Sequence, residues 1–137
     1  MELDKDFVEY YYNQYLKYGK NCILGWWSKT WEADDNTYNS AKQHLPYGTE
    51  VDYIGSGGMV IDRSIIKNYK ELQSIPTKYQ QVEDLYLCYL ARQRGVKLIS
   101  IEPHCRIIYD GYDQCKNLDE YKQEAFKDLI KKGKQNE

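Results

Sequence analysis

Five short clusters of the chain carry residue types and spacings that suit chemistry. Asp4-Lys5-Asp6 puts two carboxylates on one side of an extended segment, two residues apart, and hard oxygen donors at that spacing suit a divalent cation. The same acids, lying before a helix, also complement its dipole and its free N–H groups. Glu83-Asp84 opens a second helical pattern, where one carboxylate held near a substrate hydroxyl would serve as a general base. Acids in a first helical turn also have the plain role of meeting the dipole. Gly55-Ser56-Gly57-Gly58 is not a dinucleotide fingerprint, because the third glycine of GxGxxG would fall at Val60, and no Gly-Lys-Ser/Thr follows to make a phosphate loop. Its glycines either let main-chain N–H groups approach a ligand or make a tight turn between strands. His104, after Pro103, stands where it could join a metal shell or simply pack. Trp26, Trp27 and Trp31 lie close together, and the flat indole faces match the CH-rich faces of sugar rings. Ordinary core packing accounts for at least one of them.

Regular elements must position these groups. Apolar residues at Phe7, Val8, Tyr11, Tyr12, Tyr15 and Leu16 predict a helix over 7–18, stopped by Gly19. Cys22 to Trp27 reads as a buried strand, and residues 28–50 read as a long polar connection. Strand pieces at 51–54 and 59–62 flank the glycine run, and 63–72 reads as a short helix. Val82, Leu85, Tyr89 and Leu90 share one face of a helix over 82–94 that ends at Gly95, with Arg92, Gln93 and Arg94 on its exposed side. Strands follow at 96–101 and 105–109. Residues 118–132 form a terminal amphipathic helix, and 133–137 a disordered tail. Helices and strands interleave, so the class is α/β in a single domain.

Composition excludes several functions. The 137 residues carry 19 Lys plus Arg against 21 Asp plus Glu, and the pI near 5.7 offers no basic face for nucleic acid. No apolar run approaches a bilayer span, and the acidic N-terminus is unlike a signal peptide, so a soluble, cytoplasmic chain is expected. The four Cys contain no CxxC pair and read as reduced structural thiols, Cys88 as a small hydrophobe within a helix.

Taken in order, Leu3-Asp4-Lys5-Asp6-Phe7, an amphipathic helix, a strand, a long loop, Val51-Asp52-Tyr53-Ile54-Gly55-Ser56-Gly57-Gly58-Met59-Val60-Ile61-Asp62-Arg63 and Val82-Glu83-Asp84-Leu85-Tyr86-Leu87 resemble the second half of a GT-A glycosyltransferase, family 2 above all. The resemblance covers most of residues 3–110. It implies a partial GT-A domain whose N-terminal nucleotide-binding half is absent, since Asp4 lies beside Met1. It also implies a sheet edge open to a partner chain or to self-association, and little or no transfer by the chain alone. The implied reaction moves a sugar from a nucleotide-sugar donor to a hydroxyl acceptor. Asp4, Asp6 and His104 would hold Mn²⁺ or Mg²⁺, Asp84 would take the acceptor proton with Glu83 orienting nearby groups, and Gly55 to Gly58 with Trp27 would contact the sugar. On this reading Asp4, Asp6, Asp84 and the glycine run converge on one concave face. The competing expectations are a non-catalytic GT-A remnant that serves as an interaction or carbohydrate-binding module, and a metal-binding regulatory domain.

Overall fold

The computed structural model describes residues 2–43, 46–106 and 117–135 as a mixed α/β domain. Strand β1 (Glu2–Leu3) leads into helix α1 (Phe7–Tyr18), followed by β2 (Cys22–Gly25) and β3 (Ser28–Lys29). Next come β4 (Tyr53–Ile54), β5 (Met59–Ile61), α2 (Arg63–Asn68), α3 (Glu83–Gln93) and β6 (Lys97–Ser100). The short β7 (Cys105–Arg106) follows. The C-terminal run consists of α4 (Leu118–Ala125), a π-helical turn (Phe126–Lys131) and α5 (Lys132–Gln135).

The organising sheet has the order β5-β2-β6, with β2 parallel to β6 and antiparallel to β5. Alternation along β2 and β6 sends their side chains into two different cores, as a strand covered on both faces requires. Ile23 and Leu98 join Leu85, Cys88, Ala91, Phe126 and Ile130 in the larger core. Leu24 and Ile99 join Tyr11 of α1 in the smaller one. Two further antiparallel pairs, β1-β7 and β3-β4, complete the strands. No helix of the described residues is long and apolar enough to cross a membrane.

Helix α1 occupies the expected residues, and α3 ends at Gly95, whose φ of +78° a side chain would strain. The buried face of α3 differs from the expected one. Val82, Leu85 and Leu90 are buried, but Cys88 and Ala91 occupy its centre while Tyr89 is only partly buried. The small side chains let α3 come close to β4: the Cys88 thiol donates to the Ile54 carbonyl at 3.4 Å, and burial pushes its pKa up to about 12. Arg92 is half-buried rather than exposed, because its guanidinium reaches Asp52 at 3.3 Å. Leu85 is 1% exposed, so Leu85→Ala should cost about 2–5 kcal/mol in a urea titration. A loss under about 0.5 kcal/mol, the scale of surface changes, would contradict this packing.

Other expectations need correction. The polar connection over 28–50 is organised: Trp31 and Tyr38 are buried in it, and the Trp31 indole Nε1 donates to the Tyr38 carbonyl at 3.0 Å. The helix expected over 63–72 ends at Asn68 and resumes as a 3₁₀ segment at Lys70–Ser74. Of the tail expected to be disordered over 133–137, residues 133–135 are helical, with Lys134 paired to the buried Asp52 at 3.0 Å, and 136–137 lie outside the described residues. Of the strand expected at 105–109, Cys105–Arg106 is present and 107–109 lie outside the described residues, as does Cys115. Cys22, Cys88 and Cys105 are free thiols.

Candidate functional site

A cavity of about 350 Å³ opens between the glycine run, the start of α3 and the start of α4. Trp27, Tyr53, Gly55, Ser56, Gly57 and Asp84 line one part of it, and Tyr38, Gln81, Val82, Leu118 and Lys122 the rest. Asp84 is its anchored carboxylate. Its Oδ2 accepts the Tyr53 hydroxyl at 2.6 Å and the Ser56 backbone N–H at 3.2 Å, while Oδ1 accepts the Leu85 N–H at 2.8 Å. Three donors fix the carboxylate's orientation before any ligand arrives. Burial raises the Tyr53 pKa, and the adjacent Asp84 charge raises it further, so the phenol stays protonated and donates. Burial likewise pushes the Tyr38 phenol up to about 12.

The glycine run divides by what each position must avoid. A Cβ on Gly58 would fall on the Trp26 indole, and one on Gly55 would lie 2.8 Å from Trp27 Cδ1. Both are therefore glycines because tryptophans pack against the backbone. Gly57 has neither reason. It is exposed, its φ is not positive, and nothing lies within 4 Å of where its Cβ would be.

The second cluster sits beside α1. Pairing of Leu3 with Cys105 across β1 and β7 sets Asp4 next to His104, and the Asp4 N–H donates to the His104 carbonyl at 3.0 Å. Ligand atoms of Asp4, Asp6 and His104 lie within 4.8 Å of one another. His104 Nδ1 is 3.0 Å from both Asp6 carboxylate oxygens, and its ring stacks on Tyr10 with centroids 3.5 Å apart. Residues 98 apart in sequence thus share one exposed corner. Two carboxylates and an imidazole, with open sides, form a donor set that suits Mn²⁺ or Mg²⁺.

Adjacent tryptophans belong to different surroundings, and Asp4, Asp6 and His104 are not among the residues that line the Asp84 cavity, so the convergence expected on one concave face is not seen there. Trp26 stacks on Tyr11 at 4.8 Å in the core beneath the Asp4-Asp6-His104 corner, whereas Trp27 lines the cavity. The structure therefore brings Asp84 to Trp27, Gly55, Ser56 and Gly57, and brings Asp4 and Asp6 to His104. Glu83, exposed at the first turn of α3, and Gly58, buried under Trp26, line neither. Sequence reasoning missed Tyr53, Tyr38 and Lys122. Tyr53 alone carried a local signal, standing two residues before Gly55 in the same motif. The chain matches no protein-family model, no curated protein and no solved structure.

Proposed function

We propose that the chain carries the metal- and acceptor-binding half of a GT-A glycosyltransferase, which moves a sugar from a nucleotide-sugar to a hydroxyl acceptor. The observation that carries this reading is Asp84, held by Tyr53 and Ser56 at the wall of a cavity that Trp27 also lines. An acceptor hydroxyl donating to Asp84 would lose its proton to that carboxylate as its oxygen attacks the sugar's anomeric carbon. General bases of this kind contribute about 10²–10⁴ in rate. Trp27, 37% exposed, lines the same cavity, where an indole suits the CH-rich side of a sugar ring. Gly57 keeps backbone open to the ligand where a side chain would intrude. Asp4, Asp6 and His104 would hold Mn²⁺ or Mg²⁺, which when bound neutralises charge building on the departing diphosphate.

Gly57→Ala tests this directly, because the fold places no demand on that glycine. Its stability in urea should stay within about 0.5 kcal/mol of wild type or rise slightly. Its affinity for methyl glycosides and for UDP- or GDP-sugars with Mn²⁺, read by titration calorimetry, should fall about tenfold. Unchanged affinity in the stable variant would remove the glycine run from the sugar site.

A further inference from the structure

Two lysines from distant parts of the chain flank a single ring of the Asp84 cavity. Lys29 Nζ of β3 lies 4.1 Å from the centroid of the Tyr38 ring, and Lys122 Nζ of α4 lies 5.2 Å from it. Tyr38 and Lys122 both line the cavity. Packing holds the arrangement in place: the Tyr38 N–H donates to Gln123 Oε1 at 2.8 Å, tying the loop to α4 one residue beyond Lys122.

Among the described residues no carboxylate lies within salt-bridge distance of either ammonium group, although ion pairs are formed elsewhere by Lys42, Lys78, Lys132 and Lys134. Of the acids whose charge reaches Tyr38, Asp84 is already engaged by Tyr53 and Ser56, and Asp119 is exposed in the first turn of α4. Lys29 is 7% exposed, and its ammonium is held below its ordinary pKa by burial and by the Lys122 charge. Burying a cation against an aromatic face with a second cation nearby is unfavourable until an anion arrives.

We propose that the acceptor carries an anionic group, a carboxylate or a phosphate ester, which seats on Lys122 within the positive potential of Lys29 while a hydroxyl of the same molecule faces Asp84. This rests on the sugar-transfer reading and narrows its acceptor to an acidic sugar. Charge-assisted hydrogen bonds to an ammonium are stronger than neutral ones, so the selectivity belongs to binding and not only to encounter.

Titration calorimetry of the 137-residue chain with methyl glucuronide, glucose 6-phosphate, methyl glucoside and inorganic phosphate tests it at low salt. At least one acidic sugar should bind about tenfold more tightly than the neutral glucoside, and which one does identifies the anion. In Lys122→Met the difference should disappear, and Lys29→Met, as a second variant, should reduce it. Equal affinity for acidic and neutral sugars, or a preference that survives in Lys122→Met, overturns the proposal and leaves the transferase reading intact. Inorganic phosphate binding as tightly as glucose 6-phosphate also overturns it, because the sugar then contributes nothing. Failure of every glycoside to bind overturns the transferase reading itself.

Discussion

Asp52→Ala should lower the stability of the domain by about 3–5 kcal/mol, the range observed when one member of a buried charge cluster is removed. Three donors converge on this carboxylate, which is only 6% exposed: the Trp31 backbone N–H at 3.0 Å, Arg92 at 3.3 Å and Lys134 at 3.0 Å. It therefore joins the loop after β3, the end of α3 and the C-terminal α5. Its loss leaves the buried Trp31 N–H without its acceptor and removes the negative charge that two cations approach. Urea unfolding followed by tryptophan fluorescence measures the effect. A loss under about 1 kcal/mol would assign these contacts the weight of surface ion pairs.

Asp84→Ala should weaken binding of a hydroxyl-bearing glycoside by about 10- to 150-fold, since hydrogen bonds to charged groups contribute about 1.5–3 kcal/mol. The substitution also strips the Tyr53 hydroxyl of its acceptor, at a stability cost of about 1–3 kcal/mol. Asp84→Asn separates the two effects. Its one amide oxygen, set in the Oδ2 position, keeps an acceptor for the Tyr53 hydroxyl and the Ser56 N–H while the Leu85 N–H loses the Oδ1 acceptor, so it should fold better than Asp84→Ala, yet it cannot take a proton from a hydroxyl. Calorimetry on both variants, with unfolding curves run in parallel, measures binding and stability. Wild-type affinity in Asp84→Ala would place the ligand away from this carboxylate.

Helical spacing in the sequence located α1 and α3, which both stop at glycines, and a short apolar run located β2; the apolar face expected of α1 is not buried, since Tyr11 alone is enclosed while Val8, Tyr12 and Leu16 stay exposed. Periodicity misplaced the centre of the α3 face. Apolar character favoured Tyr89, whereas close approach to Ile54 selected the smaller Cys88 and Ala91, a choice that depends on β4 and is invisible within the helix. The segment containing Trp31 and Tyr38 looked like polar loop for a similar reason. What orders it is Gln123, 85 residues beyond Tyr38, and Lys131, whose Nζ donates to the Asp35 carbonyl at 2.8 Å. Continuous helical spacing over 118–132 was legible, but the π-turn was not; it brings Phe126, Leu129 and Ile130 all inward.

The candidate site was legible in its acids and glycines and silent in its supports. Asp84, Gly55, Ser56 and Gly57 stood out by type, but the motif could not distinguish Gly57, left open, from Gly55 and Gly58, held by indoles. Nor could spacing show that Glu83 would stay outside the cavity while its neighbour lined it. Lys122 and Tyr38 belong to the site only because α4 docks beside the loop after β3, a tertiary contact with no local signature.

On the proposed transfer reaction, a sugar hydroxyl docks on Asp84 beside Trp27 and the glycine run. The most direct test is an amide-resolved NMR titration of the ¹⁵N-labelled chain with a methyl glycoside, repeated with a UDP-sugar and Mg²⁺. Because the Ser56 N–H donates to the carboxylate that the hydroxyl would approach, its resonance should move first. Saturable shifts at Ser56, Gly57, Asp84 and the Trp27 indole N–H are the predicted result. Shifts confined to other surfaces, or a spectrum unchanged at saturating sugar, would contradict it.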